Sequence, residues 1–467
     1  MIGMSSACGG MIASCRNRMV TVFGKLKTCR HEGSNGRSSL CRTFGRDCLT
    51  PHENARRKTL LKEQMVNMTI RRLAMTVIAV LWCAAAMAAD WPEFLGPRGR
   101  GAAPDSAIRT RWSEAEGIAW KADLPGRGAS SPIVVGDLVV VTASSGARQD
   151  QLHIVALDKV SGRTVWHRRF WATGRTLAHP TSAVAAGTPA SDGKRIVALY
   201  SSCDLFCVDL AGRLLWQRNL AVEHPRSGND VGMGSSPRIV DGTAVVQIDC
   251  QGDAFALGVD AATGEDRWIV PREKIASWSS PLPVTTPEYG ACVLLQGPHG
   301  LNLHRVADGT TVWSWKGECS AIPMATESGS MVHVPSDGIA SVAPKGGDAK
   351  PAWKSTKLSC GIASPLAWGD SIACINRAGV LGIGDVADGR LRGQVRLAGS
   401  FWASPILAGA TIIAANKEGK TFIVSTEGEP KIIAENELPG TFTATPAVAD
   451  GNIYLRSETT LWKVATP

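Results

Sequence analysis

From residue 118 onward the chain is written in short apolar runs, rich in β-branched residues and broken by Gly/Asp turns. Pro132-Ile133-Val134-Val135 opens one unit, Gly136-Asp137 turns it, and Leu138 to Val141 runs back. After a polar loop comes Ile154 to Leu157, then an Asp/Gly turn and a run carrying tryptophan. Such runs predict four short antiparallel strands per unit. The unit recurs behind Pro132, Pro189, Pro237, Pro281, Pro323, Pro365, Pro405 and Pro446, spaced 57, 48, 44, 42, 42, 40 and 41 residues apart. Most of these prolines follow small residues, as in Ser130-Ser131-Pro132 and Ala444-Thr445-Pro446; Thr188-Pro189 and Ile322-Pro323 are looser members. A period of this size marks a repeat array. No stretch of the repeats carries helical periodicity.

The last strand of each unit is the most regular. Gly162 and Trp166, Gly212 and Trp216, Gly264 and Trp268, and Gly309 and Trp313 are each four positions apart, while Gly393 replaces the tryptophan that should follow Gly389. The eighth unit ends soon after its third run (460–464), and Gly117 to Leu124 reads as an orphan fourth strand. The expected fold is therefore all-β, an eight-bladed β-propeller of four-stranded blades whose ring is closed by an N-terminal strand. Trp120, Trp166, Trp216, Trp268 and Trp313 are expected as packing anchors between blades.

The N-terminal part has another character. Basic Met68 to Arg72, apolar Leu73 to Ala86 and small Ala86-Met87-Ala88 read as an export signal, so the mature chain is expected to start at Ala89 or Asp90. An uncleaved signal acting as a membrane anchor is the alternative. Residues 1–64 read as a non-native upstream extension, 65–88 as the signal, 89–117 as an N-terminal segment and 118–467 as the propeller. Residues 1–88 hold 14 Lys+Arg and 4 Asp+Glu, leaving 36 basic and 37 acidic side chains in the remainder. The formal charge of +9 belongs to the leader, so no nucleic-acid partner is expected. Seven cysteines follow residue 88. Cys203 with Cys250 and Cys319 with Cys360 occupy similar places in neighbouring units and could pair; buried free thiols are the alternative.

The Gly-x-x-x-Trp endings and Ser-Ser-Pro openings resemble the PQQ-like (pyrroloquinoline-quinone-type) repeats of bacterial eight-bladed propellers. Trp91-Pro92-Glu93-Phe94-Leu95-Gly96-Pro97, and Pro271-Arg272 ahead of Trp278-Ser279-Ser280-Pro281, resemble one secreted subgroup of that family. The resemblance implies a fold. For activity it implies less, because the family spans dehydrogenases and assembly scaffolds. Its dehydrogenases hold PQQ with calcium, acidic and amide ligands, and a disulfide of adjacent cysteines, yet this chain has no Cys-Cys dipeptide and no Cys-x-x-Cys-His haem site.

No nucleophile elbow, phosphate loop or zinc motif occurs, so no catalytic or metal-binding residue is assigned. Strand alternation gathers the starts of first strands and the loops between second and third strands on one face. There Asp249, Gln251, Arg272 and Trp278 are the ligand-binding candidates. An arginine beside an exposed aromatic could hold an anionic or sugar-like ligand; alternatively Arg272 pairs with a loop carboxylate and Trp278 packs between blades. The functional expectation is a monomeric periplasmic or secreted platform for an envelope protein or extended ligand, with no cofactor assigned. The alternatives are a PQQ- and calcium-dependent oxidoreductase, and a carbohydrate-binding propeller using Trp171 and Trp402 beside Phe170 and Phe401. N-terminal sequencing of the exported protein should start at Ala89 or Asp90; a native peptide from before Met65 would contradict this reading of the leader.

Overall fold

The computed structural model describes residues 90–346 and 350–466, so the expectations for the leader lie outside the described residues. Eight antiparallel sheets follow one another in chain order. Blade 1 runs from the strand Ile133–Val135 to Thr164–Trp171, blade 2 from Ala190–Ser191 to Leu214–Asn219, and blade 3 from Arg238–Val240 to Asp266–Pro271. Blade 4 runs from Leu282–Thr286 to Thr311–Lys316, and blade 5 from Thr326–Ser328 to Trp353–Ser355. Blade 6 runs from Leu366–Trp368 to Leu391–Arg396, and blade 7 from Ile406–Ala408 to Lys431–Glu437. Blade 8 takes Ala447–Ala449, Asn452–Arg456 and Thr460–Val464 from the C-terminus and its fourth strand, Ile118–Asp123, from the N-terminal part. The ring is closed as the orphan strand implied. The sole α-helix among the described residues is one turn, Leu220–Glu223.

Adjacent blades are joined at two radii. At the rim, Trp120, Trp166, Trp216 and Trp268 each cross to the glycine turn of the next blade rather than to the glycine of their own, whereas buried Trp313 covers no glycine turn and its indole N–H has no partner among the described residues. A Cβ at Gly264 would lie 2.7 Å from the Trp216 ring, and one at Gly212 2.6 Å from Trp166. These glycines also sit at φ 78° and 76°, a region that L side chains rarely adopt. The indole N–H then donates to a carbonyl beside that turn: Trp120 to Lys159 (3.2 Å), Trp166 to Leu210 (2.8 Å), Trp216 to Ala261 (3.0 Å) and Trp268 to Val306 (2.8 Å). Trp353, which the repeat spacing passes over, does the same to Val386 (2.9 Å) and covers Gly389. Where the pattern lapses, other residues move in. Pro430 of blade 7 packs on Gly393, and Trp112 from the N-terminal segment, held by Asn436, fills the place left by Ala434.

Near the axis, the small residue before each proline makes the second seam. The Ser131 N–H donates to the Thr188 hydroxyl (2.9 Å), Thr188 to Ser236 (3.0 Å), and Ser236 to Ser280 (2.9 Å). The relay is interrupted at Ile322, which has no hydroxyl. It resumes with Met324 to Ser364 (3.1 Å), Ser364 to Ser404 (3.0 Å) and Ser404 to Thr445 (2.9 Å). All these hydroxyls are buried, so each N–H would otherwise go unsatisfied.

The N-terminal segment is a belt that visits every blade in turn at the end of the ring where first strands finish. Trp91 pairs with Val134 of blade 1, and the Pro92 carbonyl accepts from Ser191 of blade 2 (2.9 Å). Buried Glu93 meets buried Arg238 of blade 3 at 3.3 Å. Arg98 donates to Thr285 of blade 4 (3.0 Å), and Arg100 pairs with Glu327 of blade 5 (2.6 Å). A Cβ at Gly101 would touch Leu366 of blade 6. Ala102 and Ala103 then pair in parallel with blade 7, and Ala107 lies against Gly451 of blade 8. Every described cysteine is a free thiol, which corrects both disulfides considered from the repeat positions.

Three stability outcomes follow. Trp216→Ala should cost about 3–5 kcal/mol in denaturant unfolding. Gly264→Ala should cost clearly more than Gly193→Ala, whose φ is 79° but whose Cβ meets open space, leaving only about 1–2 kcal/mol of backbone strain. Equal costs would contradict the docking. Burial pushes His333 down to about 4, and neither ring nitrogen finds a partner among the described residues. The unfolded chain therefore binds the extra proton first, and stability should fall between pH 6.5 and about 4. His333→Phe should flatten that slope.

Candidate functional site

Eight connections lead from one blade to the next, all on the face opposite the belt. Six are nine or ten residues long; residues 172–189 and 220–237 are eighteen each. The first two proline spacings, 57 and 48, carry this excess in the sequence. The two long connections bind each other. The His179 N–H donates to the Val231 carbonyl (2.9 Å), and Arg175 pairs with Asp230 (2.9 Å) and donates to Gly228 (3.3 Å). The Ser201 hydroxyl stitches both, donating to the Leu177 carbonyl (3.1 Å) and accepting from the Met233 N–H (2.8 Å). The first connection also receives Arg127 at the Pro180 carbonyl (3.2 Å) and brings His179 within 6.5 Å of Trp402, between blades 6 and 7. It therefore extends over the central opening.

The residues singled out from sequence lie beneath this surface. Arg272 forms a bidentate pair with Asp249 (2.9 and 3.0 Å), and both side chains are buried. Gln247 donates to the same carboxylate (2.6 Å), and Arg272 donates to the Gln296 carbonyl (3.0 Å). The Trp278 indole donates to the Gly232 carbonyl (2.7 Å), while Asn229 donates to that of Asp249 (3.0 Å). Asp249, Arg272 and Trp278 thus carry the second long connection; Gln251 is exposed beside them. Hydrogen bonds from Arg226, led by its backbone N–H, hold the Asp253 carboxyl below its usual range and pin the connection again. Of the aromatic pairs, Phe170 stacks on Phe206 at 4.1 Å and Phe401 is buried, whereas Trp171 is exposed.

Beside exposed Arg175, Arg226 and Asp230, this face also carries apolar side chains outward. Trp171, Leu177, Val222, Val231 and Ile322 are all exposed on it, Val222 at 65%. Apart from Trp171, the sequence pattern did not single these side chains out, since the polar variety of blade 3 stood out instead. An apolar group in a loop has no meaning until the loop is known to be fixed. Here it is fixed from below by a buried ion pair and from the side by its neighbour.

The family model described as outer membrane protein assembly factor BamB matches residues 110–285 and 257–466. The chain belongs to this PQQ-type repeat family. No curated protein matches the sequence. Among solved structures, BamB from Moraxella catarrhalis is similar at 15% identity and TM-score 0.55, over 74% of this chain and 96% of that one. Quinohemoprotein alcohol dehydrogenase from Comamonas testosteroni is similar at 11% identity and TM-score 0.60, over 80% of each chain. A europium-containing methanol dehydrogenase matches at 11% identity and TM-score 0.58, over 79% of this chain and 89% of that one. At these identities family membership and structural likeness agree on the propeller, and the likeness speaks for fold alone.

Removing one partner of the buried pair is the informative change. Arg272→Ala should cost about 3–5 kcal/mol, because Asp249 is left charged and buried. Arg272→Met with Asp249→Leu should recover most of that in thermal unfolding; no recovery would mean that the pair holds more than the loop.

Proposed function

We propose that this chain is an exported envelope propeller that serves as a docking platform for a protein partner. The observation that carries the reading is the face built by the two eighteen-residue connections. Their backbones are tied to each other and to the ring, and exposed Leu177, Val222 and Val231 crown them. Apolar side chains held on a rigid support suit protein contact, since little ordering entropy remains to be lost on binding. The export reading rests on Leu73 to Ala88, and the family's description as an outer membrane assembly factor supports both parts.

The quinone-enzyme neighbours supply the second reading, which the donor set of this face supports less well. Among the described residues no three His, Cys, Asp or Glu side chains are grouped to hold a metal. The Asp249 carboxylate is already taken up by Arg272 and Gln247, and the first long connection lies over the opening where a ligand would enter. These residues do not fit a calcium-bound quinone.

The test is a pair of charged substitutions on the crown. Leu177→Glu with Val222→Glu should lower capture of the partner from crosslinked envelopes at least tenfold, with the unfolding midpoint unchanged. Undiminished capture would remove this face from the account. Calorimetric titration with PQQ and calcium should give flat heats; calcium-dependent binding at one per chain would favour the oxidoreductase.

A further inference from the structure

Most of the cysteines in the ring are accounted for by other groups. The Cys203 thiol points at the Met233 sulfur (3.6 Å), Cys207 donates to the Ala261 carbonyl (3.6 Å), Cys250 to Asp253 (3.3 Å), and Cys319 to Gly317 (3.6 Å). Cys360 and Cys374 differ, because they are neighbours in one packed layer of the ring. Cys374 sits in the second strand of blade 6, Ser371–Ile375. Cys360 lies in the connection from blade 5 that runs beside this strand, where the Gly361 N–H donates to the Ile375 carbonyl at 2.8 Å. Both belong to the apolar layer between blades 5 and 6, with Ile339, Leu358 and Ile372. Cys374 is buried, while Cys360 is partly exposed. Cys360 is thus the less enclosed of the two.

We propose that Cys360 and Cys374 form a redox site that a disulfide-bearing oxidant converts to an intramolecular disulfide after export. The in-cell part of this inference rests on the export reading above; the pair itself does not. The Cys360 thiolate attacks one sulfur of the donor, whose S–S bond breaks and releases one thiol carrying a proton. The Cys374 thiolate then attacks the Cys360 sulfur, forming the new S–S bond and expelling the second donor thiolate, which takes up the other proton. Two protein thiols are oxidised and one donor disulfide is reduced to two thiols. The bond would close the chain over the first strand of blade 6 and restrict the unfolded state. The neighbouring Cys374 and burial both push the Cys360 thiol well above its ordinary value. The thiolate is the reacting form, so oxidation should speed up with pH.

The test uses the native full chain treated with oxidised glutathione, blocked with iodoacetamide and digested without reduction. The expected product joins the peptides of Cys360 and Cys374, two hydrogens lighter than their sum, and forms faster at pH 9 than at pH 7. Its denaturant midpoint should rise on oxidation and return on reduction, whereas Cys360→Ser should show neither change. Alkylation of both thiols after treatment would overturn the proposal, as would a glutathione adduct on Cys360 that never resolves. Protein alkylated at harvest from the envelope fraction separates the two parts. A linked pair there supports both. Reduced thiols in cells, with ready linkage in the tube, would overturn oxidation in the cell and leave the redox chemistry of the pair standing.

Discussion

Everything in this propeller depends on the seam between one blade and the next. A four-stranded blade buries little apolar surface alone, and its faces gain shelter only when a neighbour covers them. The chain secures that contact twice. At the rim an indole ring lies flat on a glycine turn and donates to a carbonyl beside it, as Trp216 does to Ala261. Near the axis a buried hydroxyl accepts the backbone N–H of the preceding blade, as Thr188 does from Ser131. A contact at one radius alone would leave each blade free to hinge. Contacts at two radii fix both spacing and tilt, and a fixed tilt is what allows eight blades to close.

Because the ring is held by its seams, its ends are free to specialise. One end is spent on the belt from Trp91 to Ala107, which contacts every blade and places the buried Glu93–Arg238 pair near the axis. Burial raises the Glu93 carboxyl, with Arg238 opposing that rise, so the arginine is what keeps an acid tolerable there. The other end carries the two long connections. Their support is a second buried ion pair, Asp249 with Arg272, under a surface that exposes Leu177, Val222 and Val231. A rigid ring with one end occupied and the other end crowned with apolar groups has the form of a platform.

The strand pattern and proline period made the propeller legible before any coordinates, and the orphan strand at Ile118–Asp123 made its closure legible too. Direction was not legible. Gly162 and Trp166 are four apart in the chain, yet Gly162 receives Trp120 and Trp166 goes on to Gly212, since repeats hide whether a contact lies within a unit or between units. The lapse at Gly393 hid Trp353 in the same way. Pairing of Arg272 with a loop carboxylate was one of the two expectations, but that the carboxylate is Asp249 depends on a three-dimensional approach that no spacing encodes. The crown was half legible, since the early proline spacings announced extra residues without saying that they would be held rigid.

In the proposed platform the long connections, and not the belt end, meet the partner. A photo-crosslinking amino acid placed at Val222, with Val160 on the belt end as the counterpart, tests it in intact cells. Both side chains are exposed, at 65% and 75%. A discrete crosslinked protein is expected from position 222 and none from position 160. Crosslinking from 160 alone would place the docking surface at the other end of the ring and contradict that expectation.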